Sequence, residues 1–172
     1  MISDKMAAEL NKQINAELYS AYLYASMSGY AADEGLNGIS TWFSAQAQEE
    51  VSHAQKFYAY MNSQGKRVIL EAIDKPPADF DGATGLFEGA LEHEQKVTAL
   101  INGLVDTARD DKDHATEIFL QWFVTEQVEE EENVNEILGK LKLAGDKGGG
   151  LFMIDRELGT RTFTPSAAED DE

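Results

Sequence analysis

Along this chain, apolar residues recur at alternating three- and four-residue steps, the spacing of one face of an α-helix. The pattern holds over four long stretches, roughly 4–33, 37–64, 84–110 and 114–143. A short fifth stretch lies near 150–158, after the Gly148-Gly149-Gly150 break. All three prolines, Pro76, Pro77 and Pro165, fall outside the periodic segments. The prediction is an all-α fold, a four-helix bundle with a short fifth helix. The first inward stripe reads Leu10, Ile14, Glu17, Ala21, Tyr24, and the second Ile39, Phe43, Gln46, Glu50, His53, Phe57, Tyr60. The third is Phe87, Ala90, Glu94, Val97, Ile101, Leu104, and the fourth Leu120, Phe123, Gln127, Glu130, Val134, Ile137, Leu141. In every stripe a glutamate stands where an apolar residue is expected.

These exceptions are in register. Glu17 precedes Glu50 by 33 residues, and Glu94 precedes Gln127 by 33. A shift of 77 residues lays Glu17 on Glu94, Glu49-Glu50 on Glu126-Gln127, and His53 on Glu130, so the chain reads as two related helix pairs. Glu17 and His53 each lie 18 residues from the expected turn at Gly35, and Glu94 and Glu130 each lie 18 residues from the one at Lys112. Antiparallel helices rise equally per residue, so these side chains come to one level. The connection from about Gly65 to Ala83 is longer than a hairpin needs. A helix of about 28 residues spans about 42 Å, and roughly 19 extended residues reach about 60 Å. This segment can therefore cross the bundle lengthwise and start the third helix parallel to the second.

A buried carboxylate costs several kcal/mol unless it is paired or bound to a metal, and four at one level also repel one another. No lysine or arginine lies on the four stripes to neutralise them. Two divalent ions would balance four carboxylates. Carboxylates with one imidazole suit iron or manganese and can leave positions open for oxygen. The second half lacks the histidine of Glu50-Val51-Ser52-His53, reading Gln127-Val128-Glu129-Glu130 instead. The two metal positions are expected to be unequal, the one near His53 tighter. Composition agrees: 32 acidic against 14 basic residues give a formal charge of -18, which repels phosphate backbones and attracts cations. The absence of cysteine excludes disulfides and cysteine-bound metal centres. No apolar run is long enough to cross a membrane, and residues 1–9 lack the apolar core of a signal peptide, so a cytoplasmic location is expected.

The set Glu17, Tyr24, Glu49-Glu50-x-x-His53, Glu94 and Glu126-Gln127-x-x-Glu129-Glu130 resembles the non-haem ferritins of bacteria and archaea over nearly the whole chain. The resemblance implies a ferritin-like four-helix bundle over 1–160 with a flexible acidic tail at 161–172. It also implies a homo-oligomeric shell, commonly of 24 subunits, that oxidises Fe(II) with O2 or H2O2 at a di-iron ferroxidase centre and stores Fe(III) mineral. Carried over by position, Glu17, Glu50 and His53 hold one iron. Glu50 bridges to a second iron held by Glu94 and Glu130 with Gln127 beside it. Glu49, Glu126 and Glu129 form a third iron site, and Tyr24 hydrogen-bonds near the centre or supplies an electron.

Haem-binding relatives carry a methionine just before the histidine; Ser52 stands there, so no haem is expected. His93 is expected to be an ordinary surface histidine, and Trp42 and Trp122 packing residues. Asp113, His114 and Glu117 read as a helix cap, and by resemblance as the lining of an iron-entry channel. The competing reading is an acidic helical interaction module without metal, which chelation would leave unchanged.

Overall fold

The computed structural model describes residues 2–145 and 147–163. Its five helices are α1 (Asp4–Asp33), α2 (Asn37–Ser63), α3 (Gly82–Asp110), α4 (His114–Ala144) and α5 (Gly149–Leu158), each within two residues of the expected bounds. Ser3 and Asp113 cap α1 and α4, their side chains accepting the backbone N–H groups of Met6 at 3.0 Å and Thr116 at 3.1 Å.

The internal repeat extends to the turns. Leu36 N–H donates to the Ala31 carbonyl at 2.8 Å, and Asp113 N–H to the Ala108 carbonyl at 2.8 Å. The residue before each donor is left-handed, Gly35 with φ 77° and Lys112 with φ 55°. Both hairpins therefore close with the same left-handed helix cap, but only the first uses the residue that adopts it without steric cost.

The long connection can be followed by its partners on α1. Lys66 pairs with Asp4 at 2.6 Å, Ile69 N–H donates to Asn11 Oδ1 at 2.9 Å, and Asn15 Nδ2 donates to the Ala72 carbonyl at 3.2 Å. Ser26 Oγ then donates to the Pro77 carbonyl at 2.6 Å, and Gly82 N–H to Tyr30 Oη at 3.3 Å. The partners advance from one end of α1 to the other, so the segment crosses the bundle lengthwise. Helix α3 accordingly starts where α1 ends and runs parallel to α2, as the linker length predicts.

The core has two parts. Leu23, Tyr24, Met27, Phe43, Phe87, Val134 and Leu141 belong to a cluster at the end where α5 packs. Leu10, Ile14, Phe57, Ile101, Leu120 and Phe123 belong to the other. Each fully buried large apolar side chain contributes about 1.5–3 kcal/mol, so the helices are held together firmly above and below the level between the clusters. That level is polar: Gln13, Glu17, Ser20, Gln46, Glu50, His53, Glu94, Gln127 and Glu130 are all buried. Phe43 and Phe87 pack 4.9 Å apart on one side of it, and Phe57 stacks on Phe123 at 4.0 Å on the other.

Helix α5 docks across the start of α2. Asp155 Oδ1 accepts the Ile39 N–H at 2.8 Å. A Cβ added at Gly38 would fall 1.6 Å from the Asp155 carbonyl oxygen, so glycine is required for this approach. Beyond α5, Arg161 packs back onto the bundle, whereas the remainder of the expected tail, 164–172, lies outside the described residues. No helix among the described residues is long and apolar enough to cross a membrane.

Candidate metal centre

The polar layer gathers the predicted residues. Glu17, Glu50 and His53 each offer a ligand atom, all within 4.8 Å of one another, and all three side chains are buried. His53 Nδ1 lies 3.4 Å from Glu50 Oε2. Gln13 Nε2 donates to Glu17 Oε1 at 2.8 Å, no N–H or hydroxyl donor reaches the buried Glu17 Oε2, and Glu17 and Glu50 are close enough to share a proton. A buried carboxylate pair is costly unless it holds a shared proton or a cation, and the nearby His53 makes a metal ion a fitting occupant.

The α3–α4 side is arranged differently. Tyr24 Oη donates to Glu94 Oε1, and Gln127 Nε2 donates to Glu94 Oε2 at 3.1 Å. Both Glu94 oxygens are therefore occupied by protein donors. Glu130 Oε2 accepts from Gln46 Nε2 at 2.8 Å, and the same nitrogen reaches Glu50 Oε1 at 3.4 Å. Gln46 thus ties the two halves together.

Electrostatics mark the layer as unbalanced without a cation. Burial, then the neighbouring Glu50 charge, pushes Glu17 well above the usual carboxylate range. Burial, then the Glu94 and Glu130 charges, does the same to Glu50. Burial raises Glu94 despite its two donors. Glu130 is pushed up to about 8 by burial and by the Glu94 and Glu49 charges. Burial and the nearby Glu94 also raise the Tyr24 phenol, so it stays protonated as a donor.

A second carboxylate group lies beside the first. Glu49, Glu126 and Glu130 bring their oxygens within 4.8 Å of one another. Of the three carboxylates expected at the outer site, the structure brings together Glu49 and Glu126. Glu130 completes the group, while Glu129 is exposed outside it. Glu129 still contributes through space, since its charge is among the causes that raise Glu126, after burial. His53 faces both groups, with Nε2 4.0 Å from Glu126 Oε1.

His93 departs from the expectation of an ordinary surface residue. It is half-buried, its Nε2 lies 2.7 Å from Ser20 Oγ, and its ring meets Tyr24 edge-on with centroids 5.9 Å apart. Burial lowers its pKa to about 4, so it is neutral. The cause is the lateral packing of α3 on α1, which one-helix periodicity does not report. Trp42 and Trp122 pack as expected, against Phe43 and Phe87 and against His53 and Phe123 respectively. Glu117 pairs with Arg109 at 2.7 Å, while His114 is exposed.

Two site residues were not singled out from the pattern. Gln13 and Gln46 each precede a first-half glutamate by four residues and stand 33 apart, like Glu17 and Glu50. The equivalent second-half positions, 77 residues on, are Ala90 and Phe123. That contrast was available in the sequence as a signal that both amide donors come from the first half, Gln13 serving Glu17 and Gln46 reaching across to Glu130.

A four-helix bundle with a lengthwise crossover and a buried layer of four glutamates and a histidine defines the ferritin-like class of carboxylate metal proteins. Residues 7–144 match the ferritin family, described as a ferritin-like domain. A bacterial non-haem ferritin of Bacteroides fragilis is 43% identical over 161 residues, covering 94% of this chain and 100% of that protein. A probable bacterial non-haem ferritin-like protein of Haemophilus influenzae is 38% identical over 159 residues, 92% of this chain and 96% of the relative. The structure of an open-pore ferritin from the hyperthermophilic archaeon Archaeoglobus fulgidus superposes with a TM-score of 0.93 at 47% identity, covering 94% of this chain and 100% of that one. The chain belongs to the ferritin family, whose members store iron.

Proposed function

We propose that the protein oxidises Fe(II) with O2 or H2O2 at a dinuclear ferroxidase centre and stores the Fe(III) product as mineral inside a shell of 24 copies. The observation that carries this reading is the buried layer itself. Its carboxylates are forced toward protonation when no cation is present, and no N–H or hydroxyl donor reaches Glu17 Oε2. Two divalent ions would supply the missing charge. Glu17, Glu50 and His53 would hold the first Fe(II). Glu50, Glu94 and Glu130 would take the second, with Gln127 orienting Glu94. Tyr24 would hold the Glu94 carboxylate in place and stand ready as a one-electron donor.

The inequality between the two positions suits iron as a substrate that arrives, is oxidised and leaves. Both Glu94 oxygens already accept a protein hydrogen bond, which draws electron density from them, and this side has no histidine, so the second position binds less tightly. Glu49, Glu126 and Glu130, with Glu129 at the edge, would take a third iron beside the centre. Assembly into a shell is supported by an apolar groove of about 810 Å³ across α1 and α2, lined by Leu18, Ala21, Tyr22, Ala25, Ala47 and Val51 among others. Tyr22 is 53% exposed there, an unusual position for an aromatic side chain unless another surface covers it. A cytoplasmic store fits a protein whose substrate is reduced iron.

Aerobic loading of metal-free protein tests the reading, with oxidation followed optically and bound iron counted afterwards. Rapid oxidation with far more iron per chain than the ligand sets hold is expected. Oxidation that stops once those sets fill would instead identify a fixed di-iron cofactor and an oxygen-using enzyme.

A further inference from the structure

The outer carboxylate group has a cation of the protein's own. Arg161 Nη2 donates to Glu49 Oε2, and the guanidinium lies over the Trp42 ring, 4.5 Å from its centroid. Its charge also reaches Glu130, where it opposes the effect of Glu49. On the opposite flank Lys56 lies over Trp122 at 4.2 Å and acts on Glu126 only through space. Among the described residues, Arg161 is thus the basic side chain bonded to a member of this group.

The backbone that carries Arg161 is fixed. Its N–H donates to the Leu158 carbonyl at 3.2 Å at the end of α5, and α5 is pinned to α2 by the Asp155–Ile39 bond and by the close approach at Gly38. The side chain is freer. It is 23% exposed and rests on the face of an indole, a contact that holds a cation without a directional bond. A swing of the guanidinium into water requires no movement of the helices.

We propose that Arg161 is a displaceable counter-ion: it neutralises the outer group of Glu49, Glu126 and Glu130 in the metal-free protein and is expelled when a divalent cation binds there. This rests on the reading of the outer group as a cation site. The physical reason is competition for one carboxylate. A guanidinium on Glu49 Oε2 draws electron density from the carboxylate that a metal ion would use, and two cations a few ångströms apart in a partly buried site repel each other. Arginine therefore weakens the outer site. It also keeps three carboxylates from facing one another unbalanced before iron arrives. The inner set of Glu17, Glu50 and His53 has no such competitor, so divalent ions fill it first.

The test uses the assembled full-length protein and anaerobic titration with Zn2+, which has no redox chemistry, followed by calorimetry and by Trp42 emission in a Trp122→Phe background. Arg161→Ala should bind the outer zinc on the order of tenfold more tightly, as expected for loss of one competing charged hydrogen bond, with inner binding unchanged. Trp42 emission should change as the outer group fills when Arg161 is present, and should not in Arg161→Ala. Outer zinc binding that is unchanged or weaker in Arg161→Ala, or a Trp42 signal indifferent to Arg161, would overturn the proposal while leaving the outer site standing. A zinc count that Glu49→Gln does not lower would show that no cation binds there, and would remove both the site and the proposal.

Discussion

The α1–α2 and α3–α4 sides of the buried layer are built from one repeated pattern, yet they are prepared for a cation in opposite ways. On the first side Gln13 satisfies one oxygen of Glu17 and leaves the other bare, and His53 stands 3.4 Å from Glu50. On the second side Tyr24 and Gln127 occupy both oxygens of Glu94, and Gln46 reaches across to Glu130. The first side keeps one carboxylate oxygen free of protein donors; the second has a donor on each oxygen of Glu94. Repetition of a sequence motif therefore does not give repetition of hydrogen bonding. The outcome depends on which donors the neighbouring helices present to each carboxylate.

The comparison breaks most severely at Glu50, the residue common to both sides. Glu50→Ala should slow initial Fe(II) oxidation by more than roughly a hundredfold while the shell still assembles. Stopped-flow absorbance together with size-exclusion chromatography would check this, and parental rates from that variant would end the dinuclear assignment.

Next in size is the response of the metal-free protein to pH. Glu130 has a folded pKa of about 8 against an ordinary value of 4.5, so the folded chain binds more protons than the unfolded chain within that window. Stability is then greatest below the lower value and falls as pH rises through the upper one. The melting temperature in chelator should drop by several degrees between about pH 6 and pH 9. Zn2+ should abolish the drop, because the ion replaces the protons.

A smaller effect separates the two sides directly. Anaerobic Fe(II) titration should resolve two affinities in the parent protein. Gln127→Glu replaces a donor to Glu94 by a ligand, and should tighten the weaker site on the order of tenfold, bringing the two together. Affinities that remain as far apart as before would show that Gln127 is not what sets the second side apart. The smallest change concerns the turns. Lys112 holds a left-handed conformation that Gly35 adopts freely in the other hairpin. Lys112→Gly should raise stability to chemical denaturation by about 0.5–1 kcal/mol, and Gly35→Lys should lower it by a similar amount.

The helices, their hairpin pairing and the lengthwise crossover were legible from the sequence, because helical period and linker length are local quantities. So was the membership of Glu17, Glu50, His53, Glu94, Gln127 and Glu130 in one layer, since all fall on apolar stripes at matching distances from the turns. The outer group was legible only in part. Glu129 and Glu130 are neighbours in a run of acids, and the stripe identifies Glu130 as inward without showing that its oxygens also reach Glu49 and Glu126. His93 was misplaced for a related reason: its position on α3 is off the stripe, but α1 packs against that flank and buries it beside Tyr24.

What the sequence determined by itself was a set of polar residues that could not be buried without a partner, at one level of four helices. That conclusion needs only the 3.6-residue period and the cost of an unpaired charge. The tertiary structure decided which of those residues meet, which donors close Glu94, and that Arg161 comes back to Glu49 from beyond α5. Those outcomes depend on helix rotation and on contacts between segments more than a hundred residues apart, Arg161 and Glu49 being separated by 112. Such contacts leave no periodic trace along the chain, because they are set by the packing of whole elements and not by the spacing within any one of them.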